Sequence, residues 1–443
     1  MNPIAKHLRE VIQSKNPYVY EMLSTIGKNI YFPKGILSQS AEAREKAHHL
    51  NATIGIALEN GKAMHLESIV EPVDGIYPEE FLTYAPSFGI PALRQIWKHS
   101  LYEKNPSLAP KSVSLPVVTS GITHSISIFS ELWVNPEDVI ILPDMIWGNY
   151  RLIFETRKGA RICQYPIFSD TGGFNLDQFE AVIRKEASHR DKIIVLLNFP
   201  HNPTGYSVTR EEGSRIVDIL TDVARGGTHV IAALDDAYFG LFYEPQVLSE
   251  SLFAMLCDRH PRLLAVKLDG ATKENFVWGL RVGFITYGVE MDGDSLEFYT
   301  ALEQKTAACV RASISNASHL GQTIVLKSMQ SETYPIEKQE KFEILKRRAL
   351  KVKEVISDAK YQNAWDVYPF NSGYFMSIRL KSVGAESLRR HLLDRYGVGL
   401  ISIGEKNLRI AFSCLEEDDI RELFDIILQG VNDLEISESQ KID

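Results

Sequence analysis

Cysteine is scarce in this chain, with four among 443 residues, at Cys163, Cys257, Cys309 and Cys414, and no C-x-x-C pair. That spacing excludes a disulfide framework and a thiolate zinc site, and suits reduced intracellular thiols. No apolar run approaches the ~20 residues that a membrane-spanning helix requires. The start, Met1-Asn2-Pro3-Ile4-Ala5-Lys6-His7, lacks the apolar core of a signal peptide, so the cytoplasm is the expected compartment. Positive charge is also short. Lys and Arg number 48 against 57 Asp and Glu, a formal −9 spread along the chain, which argues against nucleic acid as a partner. No internal repeat and no long low-complexity segment is present. The remainder is an ordinary globular composition, 44% hydrophobic and 24% charged, long enough for two domains sharing a sizeable core.

The middle of the chain alternates short apolar runs with helical stretches. The runs are Val113–Val118, Val139–Leu142, Ile193–Leu197, His229–Leu234, Leu263–Leu268 and Val282–Tyr287. Continuous apolar runs between helices predict buried strands of a mostly parallel sheet, hence an α/β architecture. From Tyr334 to Lys360 the pattern becomes one long charged helix with an apolar stripe through Phe342, Leu345, Ala349, Val352 and Ile356. Strand-like Tyr374–Ile378 and Leu408–Phe412 follow, with helices near Leu388–Arg395 and Glu417–Leu428 and a polar, frayed tail at Glu435–Asp443. This shift predicts a smaller α+β domain at the C-terminus, joined by the N-terminal segment. The expected division is residues 1–65 as N-terminal arm and part of the small domain, 66–330 as the large domain, and 331–443 as the C-terminal small domain.

Polar residues recur where the strands end, which is where ligands bind in open parallel sheets. Val117-Val118 leads into Thr119-Ser120-Gly121-Ile122-Thr123-His124 and then a helix, whose free amides and Thr123 hydroxyl suit an anion such as phosphate. Ile193–Leu197 leads into Asn198-Phe199-Pro200-His201-Asn202-Pro203-Thr204-Gly205, with Asn202 a candidate donor. His229–Leu234 leads into Asp235-Asp236-Ala237-Tyr238. A carboxylate at a buried strand end is costly without a positive partner. Trp147, in the loop after Val139–Leu142, offers a face on which a flat ring can stack. Taken one at a time, these are a capped βα turn, a tight loop, a capping Asp with a packed Tyr, and a core Trp. Four strands doing so together weigh against the bland readings.

Lys273 follows Leu263–Leu268 and Asp269-Gly270-Ala271-Thr272, and Arg281 stands eight positions later in Gly279-Leu280-Arg281-Val282-Gly283. A lysine and an arginine so placed suggest a Schiff base to pyridoxal phosphate, the amine bonding the aldehyde and the guanidinium taking the phosphate. Asp235 then pairs with the pyridinium nitrogen, each charge favouring the other's ionised form, and Tyr238 and Asn202 donate to the ring oxygen. With the ring kept protonated, the cofactor is an electron sink for a carbanion.

Together these residues resemble the fold-type I pyridoxal-phosphate enzymes, specifically the class I aminotransferases nearest to the aspartate aminotransferase group. The resemblance covers about Asn51 to Phe412, with the motifs in the family's order. It implies a large domain with a mostly parallel seven-stranded sheet flanked by helices, and a smaller α+β domain from the two termini. It implies pyridoxal 5'-phosphate held by Gly121, Ile122, Thr123, Trp147, Asn202, Asp235, Tyr238, Lys273 and Arg281, and no metal. Gly55 in Leu50–Gly55 corresponds to the glycine over the substrate, and Arg409 to the arginine gripping the α-carboxylate. Tyr84 in Tyr84-Ala85-Pro86-Ser87-Phe88-Gly89 corresponds to the tyrosine that reaches the neighbouring subunit's phosphate, and joins Lys273 as an expected catalytic residue. A homodimer follows from Tyr84 and from Arg311, which matches the arginine supplied across the interface for a side-chain carboxylate. Three residues depart from the family: Gly270 where a serine usually contacts phosphate, Phe276 where a small residue is common, and Tyr150 where histidine often follows the tryptophan motif.

The expected reaction is ping-pong transamination. A partly deprotonated Lys273 is displaced by the incoming amine and then moves the Cα proton. Arg311 favours an aspartate-like donor and an acceptor such as 2-oxoglutarate. An aromatic amino acid aminotransferase, which keeps that arginine and swings it aside, stays open, as does a carbon–sulfur lyase on the same fold. The aminotransferase-like sensor half of a transcription regulator is disfavoured, because the substrate-strand motif already begins at Asn51 and the preceding segment has no basic helix-turn-helix signal.

Overall fold

The computed structural model describes residues 2–439 apart from 16, 18–19, 21–22, 24, 32–34 and 292–294. The strands that matter for the site are Leu50–Asn51 (β1), Val117–Thr119 (β2), Val139–Pro143 (β3), Arg161–Tyr165 (β4), Lys192–Asn198 (β5), His229–Asp235 (β6), Leu263–Gly270 (β7) and Gly283–Gly288 (β8). They continue with Trp365–Val367 (β9), Phe375–Leu380 (β10), Val398–Gly399 (β11), Ile401–Ile403 (β12) and Asn407–Ala411 (β13). The helices used below are Pro91–Lys104 (α1), Ile122–Trp133 (α2), Leu176–Ala187 (α3), Arg210–Arg225 (α4), Ala271–Glu274 (α5), Ser295–Ile314 (α6), Tyr334–Ile356 (α7), Ala385–Tyr396 (α8) and Asp419–Ser439 (α9).

The apolar runs pair into a seven-stranded sheet of order β2-β8-β7-β6-β5-β3-β4. β8 is antiparallel to both of its neighbours and every other pair is parallel. Alternating side chains supply both faces. Ile194, Leu196, Ile231, Ala233, Val266 and Leu268 pack on one side, and Ile193, Val195, Leu197, Val230, Ala232 and Leu234 on the other. A sheet apolar on both faces must be covered on both, so the βα alternation follows from the composition of the strands. Local signals start the covering helices: Asn175 caps α3, and Thr209 with Glu212 forms a capping box at α4. The register brings the carboxyl ends of the central strands level, with Asn198 opposite Asp235 and Asp235 opposite Leu268.

A second sheet, β9-β10-β13-β12, is antiparallel throughout. The N-terminal segment attaches beside it through β1, which pairs in parallel with β11 in a two-stranded sheet of its own. The α/β class, the seven strands and the smaller α+β part drawn from both termini all match the expectation.

Several details differ. The run Val113–Val118 is a strand only from Val117, because Pro116 has no N–H to give to a ladder. β4 was not among the apolar runs, since it is an edge strand with its first residue exposed. The long helix ends at Ile356, before Lys360. The tail expected to fray is helical as far as Ser439 in α9, and the residues after it lie outside the described ones. Among the described residues, no helix is long and apolar enough to cross a membrane, and no group of His, Cys, Asp and Glu is arranged to hold a metal.

Candidate active site

A cleft opens where β2, β5, β6 and β7 end. Ile122, Thr123, Trp147, Tyr150, Asn198, Asn202, Asp235, Ala237, Tyr238 and Lys273 line it. Asp235 is the last residue of β6 and is 3% exposed. Its Oδ2 accepts the Tyr150 hydroxyl at 2.5 Å and its Oδ1 accepts the Ala237 N–H at 3.2 Å. Burial raises the Asp235 pKa to about 6, against the Tyr150 hydrogen bond and the Lys273 charge, which favour the ionised form. Lys273 lies in the short helix α5, its Nζ 5.1 Å from the centre of the Tyr238 ring. Burial and the Arg281 charge lower its pKa, Asp235 raises it, and the balance falls at about 8. At pH 7 that leaves a free-amine fraction of roughly a tenth, two to three orders of magnitude more than an ordinary lysine has.

Gly121 caps α2 with φ 79°. A Cβ there would sit 2.5 Å from Arg281 Nη2, so the left-handed glycine lets the guanidinium lie against the turn. The Ser120 N–H is taken by His124 Nδ1 at 3.0 Å, which leaves the next amides, of Gly121, Ile122 and Thr123, at the helix start. Arg409, on β13, is 2% exposed and has no carboxylate partner among the described residues. Nη1 donates to Asn202 Oδ1 at 3.1 Å and Nη2 to the Thr53 carbonyl at 2.9 Å. The guanidinium stands 4.2 Å over the Phe375 ring, and Nε meets no acceptor. Burial lowers its pKa to about 10, which still leaves it charged at neutral pH. Gly55 lies against the same Phe375 ring, where a Cβ would stand 3.2 Å from Phe375 Cζ and 3.5 Å from the Tyr238 hydroxyl.

The fold therefore brings Gly121, Ile122, Thr123, Trp147, Asn202, Asp235, Tyr238, Lys273, Arg281, Arg409 and Gly55 into one region. It does not bring in Tyr84 or Arg311: Tyr84 is 90% exposed and Arg311 is exposed on α6.

The family model for aminotransferase class I and II matches residues 76–427, most of the chain. The protein belongs to that family. An aspartate aminotransferase from Sulfurisphaera tokodaii is 25% identical over 353 residues, covering 78% of this chain and 81% of that protein. The aromatic-amino-acid aminotransferase of Escherichia coli K12 is 21% identical over 369 residues, covering 81% and 88%. Among solved structures, an aminotransferase from Anaerococcus prevotii superposes with a TM-score of 0.82 at 23% identity, over 93% of this chain and 99% of that one. The Pyrococcus horikoshii kynurenine aminotransferase does so at 0.76 and 14% identity, over 94% and 98%. At such identity these two structures speak for the fold alone.

This aminotransferase belongs to a family that works with pyridoxal 5'-phosphate, and its residues fit that group. A buried carboxylate that accepts one hydrogen bond at each oxygen and has no cation in direct contact suits a pyridinium nitrogen. An arginine laid on a glycine turn at a helix start suits a phosphate. Two of the three departures have physical accounts here. A Cβ at Gly270 would fall 2.7 Å from the Val282 carbonyl oxygen and 2.9 Å from Gly283 Cα, so β7 and β8 approach too closely for a serine. Phe276 is buried with φ 57°, a left-handed conformation that favours glycine or asparagine, and nothing in the structure explains phenylalanine there. Tyr150 gives Asp235 the hydrogen bond that a histidine at its position could have given.

Sequence reasoning did not single out two residues that shape the cleft. Asn198 Nδ2 donates to the Asp235 carbonyl at 2.7 Å while its Oδ1 accepts the Asn202 N–H at 2.9 Å, fixing one loop to the other. Its signal was a polar residue closing an apolar strand. The Tyr374 hydroxyl donates to the Lys273 carbonyl at 3.3 Å, a contact between residues 101 apart that local pattern does not show.

Proposed function

We propose that the cleft transfers an amino group from an L-amino acid to a 2-oxo acid by a ping-pong mechanism, with aspartate-like donors and acceptors such as 2-oxoglutarate favoured. Arg409 carries this reading. It is a buried cation without an anion, one of its N–H groups unanswered, and it stands between Asn202 and the Thr53–Gly55 segment. A substrate carboxylate supplies what is missing, and guanidinium matches it with two parallel hydrogen bonds.

Pyridoxal phosphate, when bound, offers the substrate amine an electrophilic carbon and a ring that takes up the electron pair left at Cα. Gly121, Ile122, Thr123 and Arg281 would hold its phosphate, Trp147 would cover the ring, and Tyr238 and Asn202 would donate to the ring oxygen. Asp235 would keep the ring nitrogen protonated. Lys273 would bond the cofactor at rest and, once displaced by the substrate amine, take the proton from Cα as its base. A pKa of about 8 lets it both accept that proton and return it near neutral pH. Gly55 leaves room for the substrate beside Tyr238.

Tyr84 and Arg311 act across a homodimer interface in this reading, which agrees with their exposure on the single chain. Arg311 then meets the side-chain carboxylate of the partner's substrate. Residues 66–330 form the cofactor domain, residues 1–65 the N-terminal arm and part of the small domain, and 331–443 the rest of the small domain.

The test is a half-reaction monitored by absorbance, with aspartate, glutamate, phenylalanine and a cysteine conjugate each added in turn to the loaded protein. Rapid conversion by the two acidic donors, with phenylalanine slower, is expected. Phenylalanine ahead of both favours the aromatic reading, and release of pyruvate and ammonia from the conjugate favours a carbon–sulfur lyase.

A further inference from the structure

Glu274 follows Lys273 directly, and its carboxylate is buried, with the residue 7% exposed. One oxygen, Oε1, accepts Lys104 Nζ at 2.7 Å and Lys338 Nζ at 2.9 Å. Burial opposes its charge and the two ammonium groups overcome that, holding the pKa down at about 2. Lys104 ends α1, beside the seven-stranded sheet, whereas Lys338 lies on α7. The same helix makes a second contact with the turn, since the Tyr334 hydroxyl donates to Asn275 Oδ1 at 3.2 Å.

The far part of α7 grips the substrate side of the cleft. Arg348 Nη1 donates to the Leu58 carbonyl at 2.6 Å and the Ser413 carbonyl at 2.9 Å, and Lys341 pairs with Glu59 at 2.8 Å. Leu58 lies three residues after Gly55, and Ser413 four after Arg409. Lys338, Lys341 and Arg348 are spaced by three and seven residues, so they share one face of a helix, roughly 15 Å from first to last at 1.5 Å per residue.

We propose that Lys338 is a positioning residue: through Glu274 it fixes the turn bearing Lys273 to the helix that also holds the substrate-binding segments. The proposal rests on the reading of Lys273 as the cofactor-bound lysine. α7 thereby sets the distance between the amine that moves the proton and the arginine that orients the substrate. Lys338 reaches the turn through its ion pair with Glu274, and its Nζ also stands 5.2 Å from the centre of the Tyr334 ring.

Lys338→Met is the clean variant. It keeps the apolar stem and leaves Lys104 to balance Glu274, so no buried charge is stranded. Hydrogen–deuterium exchange on the cofactor-free protein should show amides 271–276 opening about three- to fivefold faster, the amount one partly exposed ion pair is worth, with 122–133 unchanged. In the loaded protein kcat should fall by about the same factor with KM unchanged, and Lys338→Arg should restore both. Any other combination overturns the proposal, including faster exchange with kcat intact, or kcat, KM and thermal midpoint all shifting together. Lys273→Ala separates the two layers. A borohydride-reducible lysine–cofactor bond that survives in that variant sinks the Lys273 reading itself. Its loss, beside a silent Lys338→Met, sinks only the positioning role.

Discussion

Asp235 and Asp236 are consecutive, both buried, and point to opposite faces of one sheet. Asp235 faces the cleft, held by Tyr150 and near Lys273. Asp236 faces the other layer, where it pairs with the fully buried Lys267 and accepts the Ser251 hydroxyl at 2.6 Å. Lys267 also lies 3.7 Å from Asp269, which accepts Trp97 Nε1 at 3.2 Å. Burial alone would lower the Lys267 pKa, and the two carboxylates raise it instead. The lesson lies in where partners are missing. On the sealed side the chain supplies both charges. On the cleft side, among the described residues, it buries Arg409 with no anion and Asp235 with no direct cation, and in the proposed function those are the charges a ligand completes.

The widest separation between the two sides should come from Lys267→Met. It strands Asp236 and leaves Asp269 only the more distant Lys104, and breaking a buried pair from one side costs about 3–5 kcal/mol. Denaturant unfolding should show that loss, while cofactor affinity of the still-folded protein stays unchanged. Adding Asp236→Asn and Asp269→Asn should recover most of the stability. A lone Lys267→Met with wild-type stability would show that the sealed cluster is not held by its charges.

Arg409→Met tests the opposite side. It removes a buried cation that no carboxylate among the described residues neutralises, so unfolding should change far less than for Lys267→Met. The missing carboxylate contacts, at about 1.5–3 kcal/mol for hydrogen bonds to charged groups, should lower kcat/KM for amino acids by roughly 100-fold. Comparing an amino acid with the corresponding amine, which has no carboxylate, locates the effect. The variant should discriminate between the two much less than the parent does. Equal discrimination would place the carboxylate elsewhere.

The contrast also explains what the sequence could show. Strand-end residues such as Asp235, Asn202 and the Gly121 turn are marked by local order, a polar residue closing an apolar run, and the parallel sheet then brings them level. Lys267 lies inside one of those runs, yet nothing local announces its partners. Its neutralisation by Asp236, 31 positions away, appears only when β6 and β7 pair. β4 was hidden because an edge strand needs only one buried row, and Glu274 because its two lysines come from helices on either side of it in sequence. The roles expected of Tyr84 and Arg311 came from resemblance alone, and on a single chain both residues face outward.

Tyr150→Phe should have the smallest effect, and it bears on how the cleft keeps Asp235 ready. Burial pushes the Asp235 pKa up to about 6, and the Tyr150 hydrogen bond pulls it down. Removing the hydroxyl leaves only the upward push opposed by Lys273 and the Ala237 N–H, so Asp235 takes up its proton at a higher pH than before. A protonated Asp235 gives nothing to a pyridinium. Cofactor affinity, followed by quenching of Trp147 fluorescence, should therefore begin to fall from a higher pH as the solution is acidified, by about one unit, with about fivefold weaker binding at pH 6. Above that window Asp235 is ionised in both proteins and the difference should narrow. The ring of Tyr150 also packs 5.5 Å from Trp147, a contact that phenylalanine retains. A loss of affinity equal at every pH would mean that Tyr150 matters for shape, and that Asp235 needs no help to stay charged.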